Sequence, residues 1–336
     1  MADMLASQVH GVLNEVDTVG SCLSRTLQPP TLRGMATPLP LSTDFDPALL
    51  PSGTLWQPRA SLVACLRGGI VRSTLGAVLT DAQRINYFPA SPVCTLSWWF
   101  SGSSVLLAPA RPDQHGTLDD TRLPMPGPWV LAGPQTRPGT SWCPGPVHAL
   151  MVLFMPDALH HMTGLHPAAL TDRYVDAASV LPTDWLTMCH QVQHAPDDRQ
   201  RLNLLEDFLE PRWQACRPQQ APHAQRYSDW ATHLAQRAAM SGPGRSLRQL
   251  ERRVKRWSGL PLRELRGMGR AEQAFFDAMT QHAQGTLHWA RLATDNGYSD
   301  QAHMCRVSRR ITGFSPEALR QGIAQQESFW AYRLWM

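Results

Sequence analysis

Residues 285–320 read GTLHWARLATDNGYSDQAHMCRVSRRITGFSPEALR, and this stretch decides how the C-terminal third folds. It parses as helix, tight turn, helix, turn, helix. Thr286 is placed to cap the first helix, where Leu287, Ala290, Ala293 and Thr294 recur at helical spacing. Gly297 supplies a left-handed stop. Ser299 is the next candidate cap, for a helix expected from about Asp300 to Ile311 and ended by Gly313. Ser315, Pro316 and Glu317 form a third start signal. The middle helix is short, and its polar face carries Gln301, His303, Arg306, Arg309 and Arg310. A compact helix-turn-helix with Arg and Gln on its second helix suits a DNA major groove. The same features also describe a solvated helical pair.

Upstream, Gln225–Met240 reads as a helix, and Ser246 caps a second one, SLRQLERRVKRWSG. In it Leu247, Leu250, Val254 and Trp257 make an apolar stripe, leaving Arg248, Glu251, Arg252, Lys255 and Arg256 polar-side. Pro261–Gln284 then reads as a connecting helix with Leu262, Leu265, Ala274, Phe275, Ala278 and Met279 on its buried side. Roughly 20 residues at about 1.5 Å each span on the order of 30 Å. One turn of B-DNA is about 34 Å, so this spacer suits two helices entering successive major grooves.

The string NGYSDQAHMCRVSRRITGFSPEALR resembles the second helix-turn-helix of the AraC/XylS transcription regulators. Gly297, Tyr298, Ser299, Asp300, Gln301, His303, Arg306, Arg309, Arg310, Gly313, Ser315, Pro316 and Arg320 fall in register with that family's pattern. Two departures stand out: Met304 and Ser308 replace core phenylalanines. Methionine can still fill a core, but serine cannot, which predicts looser packing or repair by a neighbour such as Phe314. SLRQLERRVKRWSG is similar to the family's first recognition helix, but the turn before it, SGPGR at 241–245, is long, and one clear helix precedes it instead of two.

The resemblance implies base-reading positions at Arg248, Glu251 and Arg252 in the first unit, and at Gln301, Ala302, Cys305 and Arg306 in the second. Arginine forks onto guanine, glutamine pairs with adenine, glutamate accepts from cytosine, and a small apolar side chain meets the thymine methyl. Lys255, Arg256, His303, Arg309 and Arg310 fall to phosphates, which position without reading sequence.

Charge is distributed to match. The chain has 336 residues and a net charge of +4. From Ala224 onward there are 17 Lys and Arg against 9 Asp and Glu, a net of +8. Residues 1–223 carry 14 against 18, a net of −4. A basic module behind an acidic remainder fits a polyanion partner. Lys255 is the chain's sole lysine, a bias that spans both halves. Seven scattered cysteines (22, 65, 94, 143, 189, 216, 305) with no C-x-x-C read as reduced thiols. Neither a membrane-length apolar run nor a secretory signal is evident, so the expected location is cytoplasmic.

The expected fold is α+β. Residues 1–50 read as a loosely ordered arm. Residues 51–180 read as a β-rich sandwich or barrel, from short apolar runs punctuated by Gly, Pro and Asp: Leu62–Cys65, Gly69–Ser73, Gly76–Leu79, Ile85–Phe88, Val93–Phe100, Ser104–Ala108, Trp129–Ala132 and Ala149–Met155. A short helix follows at Asp157–Gly164, then two more at Pro182–His194 and Asp197–Cys216, within a helical dimerisation or linker segment at 181–220. The DNA-binding part covers 224–324, with two helix-turn-helix units, and 325–336 is a tail. In the AraC/XylS resemblance the β-rich part senses a small molecule and the helices after it dimerise, with RNA polymerase a further partner for an activator.

Arg84, Trp98, Trp99, Trp129 and His148 are the candidate effector-binding residues. Trp98 and Trp99 are adjacent on a strand and face opposite sides, so at most one lines a given cavity. No catalytic motif, metal-ligand spacing or cofactor fingerprint is found. His160, His161 and His166 lie near Cys189 and His190 without a metal spacing. Glu206, Asp207 and Glu210 read as the wet face of a helix. The expected function is a double-stranded-DNA-binding transcription regulator modulated by a small-molecule effector. The alternatives are an effector-independent regulator whose β domain only dimerises, or a β-barrel metalloenzyme fused to a helical domain.

Overall fold

The structure, a computed structural model, describes residues 50–109, 115–218, 226–241 and 246–336. The expected arm lies outside these residues except for Leu50, as do most of the Pro218–Pro222 linker and the Gly242–Arg245 turn. The described residues belong to one compact unit. A β-rich region comes first and a helical region follows, an α+β arrangement.

The strands are β1 (Ser52–Trp56), β2 (Leu66–Ser73), β3 (Ile85–Phe88), β4 (Cys94–Ser101), β5 (Val105–Ala108), β6 (Thr121–Pro124), β7 (Trp129–Ala132), β8 (Gly139–Trp142), β9 (His148–Phe154) and β10 (Tyr174–Asp176). They form a six-stranded sheet ordered β1-β2-β9-β4-β7-β10 and a four-stranded sheet ordered β3-β8-β5-β6. The named pairings are antiparallel. Five expected runs, Ile85–Phe88, Val93–Phe100, Ser104–Ala108, Trp129–Ala132 and Ala149–Met155, became strands within a residue or so of their ends. Leu62–Cys65 did not: a 3-10 turn, Ala60–Leu62, ends there. Gly76–Leu79 is a turn and loop with Val78 exposed.

Helices follow as α1 (Pro156–Thr163), α2 (Pro167–Leu170), α3 (Thr183–His194) and α4 (Asp198–Cys216). Strand alternation sorts the central strands into two faces. Leu96, Trp98, Leu150, Val152 and Phe154 face outward from the six-stranded sheet, where they pack with Trp185, Met188, Cys189 and Val192 of α3 and Leu205, Leu209 and Trp213 of α4. The segment expected to dimerise therefore spends its apolar stripe on its own sheet. Glu206 is buried, not wet: it accepts from the Arg59 amide at 2.7 Å and pairs with the Arg59 guanidinium at 3.0 Å. Asp207 and Glu210 complete the cluster around Arg59, at 2.7 and 3.1 Å.

The remaining helices are α5 (Tyr227–Met240), α6 (Leu247–Ser258), α7 (Leu262–Ala283), α8 (Trp289–Asp295), α9 (Gln301–Thr312), α10 (Pro316–Gln325) and α11 (Trp330–Arg333). The caps are local chemistry. Ser246, Asp300 and Ser315 each accept from the amide three residues on. Asp300 takes the role expected of Ser299, because its carboxylate reaches the His303 amide at 2.6 Å. Helix α8 starts at Trp289, later than expected: the Thr286 hydroxyl donates back to the Gln281 carbonyl instead of capping. Gly313 ends α9 at φ 77°, against the His115 ring.

Of residues 325–336, read as a tail, Gln325 ends α10 and the rest return to the β-rich region. A 3-10 turn, Glu327–Phe329, and α11 lie against β3 and β2. Trp330 Nε1 donates to Asn86 Oδ1 at 2.8 Å, Ser328 Oγ donates to the Ala82 carbonyl at 2.8 Å, and Arg72 pairs with Glu327 at 2.6 Å.

Candidate nucleic-acid interface and interior cavity

Helix α6 buries Val254 and half-buries Leu250 and Trp257. Leu247, expected in the same stripe, is 83 % exposed, since at the first turn nothing packs above it. On the opposite side Arg248, Arg252, Lys255 and Arg256 are exposed. Glu251 is half-buried and accepts from the Leu262 amide at 3.2 Å, tying α6 to α7. Helix α9 buries Met304 and Ile311 and exposes Gln301, Ala302, Arg306, Arg309 and Arg310; His303 and Cys305 are half-buried. Arg310 pairs with Glu264 of α7 at 2.7 Å, and His303 Nδ1 lies 3.1 Å from the Ser299 hydroxyl. Among the described residues, no hydrogen bond or ion pair holds the side chains of Arg248, Arg252, Lys255, Arg256, Arg306 or Arg309. Ser308, whose hydroxyl cannot fill an apolar core, donates to the Phe314 carbonyl at 2.8 Å. The Phe314 ring fills nearby space, stacked on His115 with centroids 4.4 Å apart and edge-on to Tyr87 at 5.2 Å.

Between α6 and α9 runs α7, whose 22 residues span about 33 Å at 1.5 Å per residue. The basic faces thus belong to two short, capped helices joined by a rod close to one DNA turn in length.

A partly open cavity of about 320 Å³ lies between the inner faces of the two sheets and the C-terminal helices. Thr95, Ser97, Trp99, Ala149, Met151 and Arg72 line it from the larger sheet, and Asn86, Phe88 and Ser141 from the smaller. Its far wall is C-terminal: Met268, Glu272, Ile311, Leu319, Trp330 and Tyr332. Of the five candidate effector residues, Trp99 lines this cavity. Trp98, 0 % exposed, lies on the opposite face and donates to the Cys189 carbonyl at 3.2 Å. Trp129 donates to Gln193 at 3.2 Å. His148 Nε2 pairs with Asp198 at 3.0 Å, and Arg84 donates to the Pro144 carbonyl at 3.2 Å. None of these four is a wall residue. Arg72 was missed: an arginine in the run LRGGIVRS gives no signal of facing inward until pairing fixes which side of β2 is enclosed.

Two further interactions tie the cavity wall to the helical region. Arg67 on β2 and Glu272 on α7 form an ion pair with both side chains buried. Burial pushes the Glu272 carboxyl up, against the pull of Arg67 and the Tyr227 amide. The Arg67 guanidinium also lies over the Tyr227 ring at 4.3 Å and the Trp335 ring at 4.9 Å. His115 Nε2 meets the Thr312 carbonyl at the end of α9, and Nδ1 lies 2.9 Å from the Thr140 hydroxyl. Burial holds the imidazole neutral, down to about 4, opposed by the Thr312 hydrogen bond.

Among the described residues, no three His, Cys, Asp or Glu side chains are placed to share a metal ion, and no helix is long and apolar enough to cross a membrane. The described cysteines are free thiols, four of them buried.

No protein-family model and no curated protein matches the chain. Among solved structures it is similar to apo ToxT K231A from Vibrio cholerae strain SCE256, with TM-score 0.35, 10% identity, and 78% of this chain and 97% of that chain covered. Wild-type ToxT of the same strain with bound unsaturated fatty acid gives 0.30 and 10%, covering 70% and 93%. ToxT from Vibrio cholerae O395 bound to (E)-4-(8-methylnaphthalen-1-yl)but-3-enoic acid gives 0.30 and 8%, covering 70% and 94%. All three are distant likenesses.

Proposed function

We propose that this chain is a sequence-specific DNA-binding transcription regulator of the AraC/XylS type, whose grip on DNA responds to a small molecule held in the cavity between the sheets and the C-terminal helices. One observation carries the proposal: the arginine faces of α6 and α9 are exposed and largely unpaired, on two capped helices joined by α7. A row of exposed guanidinium groups free of internal carboxylates is available to an anionic partner, and duplex DNA supplies one at regular spacing. In this reading Arg248, Glu251, Arg252, Gln301, Ala302, Cys305 and Arg306 face bases, while Lys255, Arg256, His303, Arg309 and Arg310 face phosphates. The resemblance of residues 296–320 to the family pattern supports the same assignment.

The proposal gives the cavity its role by shared walls. Ile311 and Thr312, the last residues of α9, line it together with Ala90, whose amide holds the Ile311 carbonyl. A molecule that parts those walls changes how α9 is held. Homodimerisation and contact with RNA polymerase belong to the same proposal.

The test is selection of bound duplexes from a random library with the full chain, followed by gel shift on the enriched sequence. The expected result is a motif with two half-elements about one turn apart. Recovery of no enriched sequence at moderate salt would overturn the assignment.

A further inference from the structure

The connecting helix α7 carries a basic row of its own. Arg263, Arg266 and Arg270 are exposed and sit at i, i+3 and i+7, along one side of the helix. Local helix energetics do not call for such a row. Each member has another arginine three or four residues away, a spacing at which like charges give a helix no support. Arg263 also lies in the first turn, the end where the helix dipole favours anions. Glu264, the carboxylate beside the row, is taken by Arg310 of α9 at 2.7 Å. Arg270 is anchored, donating to the Gly297 carbonyl at 3.0 Å in the turn that precedes α9. Among the described residues, no hydrogen bond or ion pair holds the side chains of Arg263 or Arg266.

The row is continuous with both basic faces. Lys255 and Arg256 lie in the last turn of α6, and Arg263 follows Arg256 across the Gly259 stop. From the other side, the Arg310 guanidinium lies across α7 at Gly267, where an added Cβ would stand 3.5 Å from its Nη2. Gly267 adjoins Arg266 and lies one turn on from Arg263. The two unheld arginines therefore sit where the C-terminal ends of α6 and α9 approach α7.

We infer that Arg263 and Arg266 hold DNA phosphates lying between the two half-elements read by α6 and α9, so that α7 contacts the duplex itself and is not only a spacer. The inference rests on the regulator proposed above. The partner is chosen by charge and continuity: a planar guanidinium fork matches phosphate oxygens, and a duplex engaged by both flanking helices carries its backbone past the row. Such contacts fix register without reading bases. Arg270, tied to Gly297, keeps the row in step with the second helix-turn-helix.

The experiment uses the full chain and the duplex enriched by selection. Ethylation interference maps the phosphates required by the wild type and by Arg263→Gln/Arg266→Gln, and gel shifts at several salt concentrations give the slope of log affinity. Arg199→Gln/Arg217→Gln removes the same charge from exposed positions far from the row in sequence and serves as the control. The expected result is a slope lowered by about 2 in the α7 variant. Its base preferences at both half-elements are retained, and interference is lost only at phosphates between them. The control keeps the wild-type slope and pattern. An unchanged slope, an unchanged interference pattern, altered base preference or an equal fall in the control would each overturn the inference. A selection that enriches no sequence removes the regulator and this inference together, whereas an enriched motif bound alike by wild type and the α7 variant removes only the α7 contacts.

Discussion

The Ala90 amide donates to the Ile311 carbonyl at 2.7 Å, joining the loop after β3 to the last turn of α9. The last carbonyls of a helix have no partner within it. Here the β-rich region provides partners for two of them, through Ala90 and through His115 at Thr312. The helix with the arginine face is thus terminated by the region that holds the cavity, and coupling between them needs no relay beyond these contacts.

His115 gives that junction a pH signature. Its pKa lies near 4 in the fold against an ordinary 6.5, so the unfolded chain takes up the proton first. The neutral ring's stabilisation is complete above pH 6.5 and is lost as pH falls from there towards 4. The full loss is on the order of 3 kcal/mol. Urea midpoints of wild type and His115→Gln, compared at pH 7.5 and 5, are expected to converge at the lower pH; parallel midpoints would show that the ring is not held neutral.

Trp330→Phe keeps most of the packing against Ile70 but leaves Asn86 Oδ1 buried with its indole donor gone. The expected cost is about 1–3 kcal/mol, the desolvation of an unpaired acceptor. A chemical-denaturation midpoint reads it directly, and an unchanged midpoint would mean that residues 327–333 are not docked.

Arg67 and Glu272 form a pair with both side chains buried, joining the β-rich region to α7. Removing one partner leaves a buried charge. Glu272→Leu alone is expected to destabilise by about 3–5 kcal/mol, while Arg67→Met with Glu272→Leu recovers most of that loss. A double-mutant cycle in urea measures the coupling; additive losses would contradict it.

On DNA the exposed arginines are expected to divide into two groups. Arg306→Ala weakens binding by about 1–3 kcal/mol and relaxes one base position. Arg309→Ala weakens all sequences alike and lowers the salt slope by about 1. Gel shifts on single-base operator variants at three salt concentrations separate these. Unchanged affinity and specificity for Arg306→Ala would strike it from the base-reading set.

The short helices were legible in the sequence because capping and termination are settled within a turn. Gly313 takes the left-handed φ, Ser246 and Ser315 cap, and Pro316 opens α10 wherever the rest of the chain lies. The exposed arginine faces follow from the same 3.6-residue spacing. Strands β6 and β8 were not legible: TRLP and GTSW are four residues long and acquire strand geometry only from their partners. Which residues face the cavity was equally hidden. A strand's two faces are distinguishable only once its register and enclosing layer are known, so Arg72 and Trp99 were set inside, and Trp98 outside, by pairing with β9 and by cover from α3 and α4. The return of Glu327 and Trp330 to Arg72 and Asn86, more than 240 residues away in the chain, is a matter of long-range contact that no local pattern encodes. Local hydrogen-bonding geometry determined the basic helices from sequence alone, and tertiary packing decided the cavity, its arginine and the clasp that closes it.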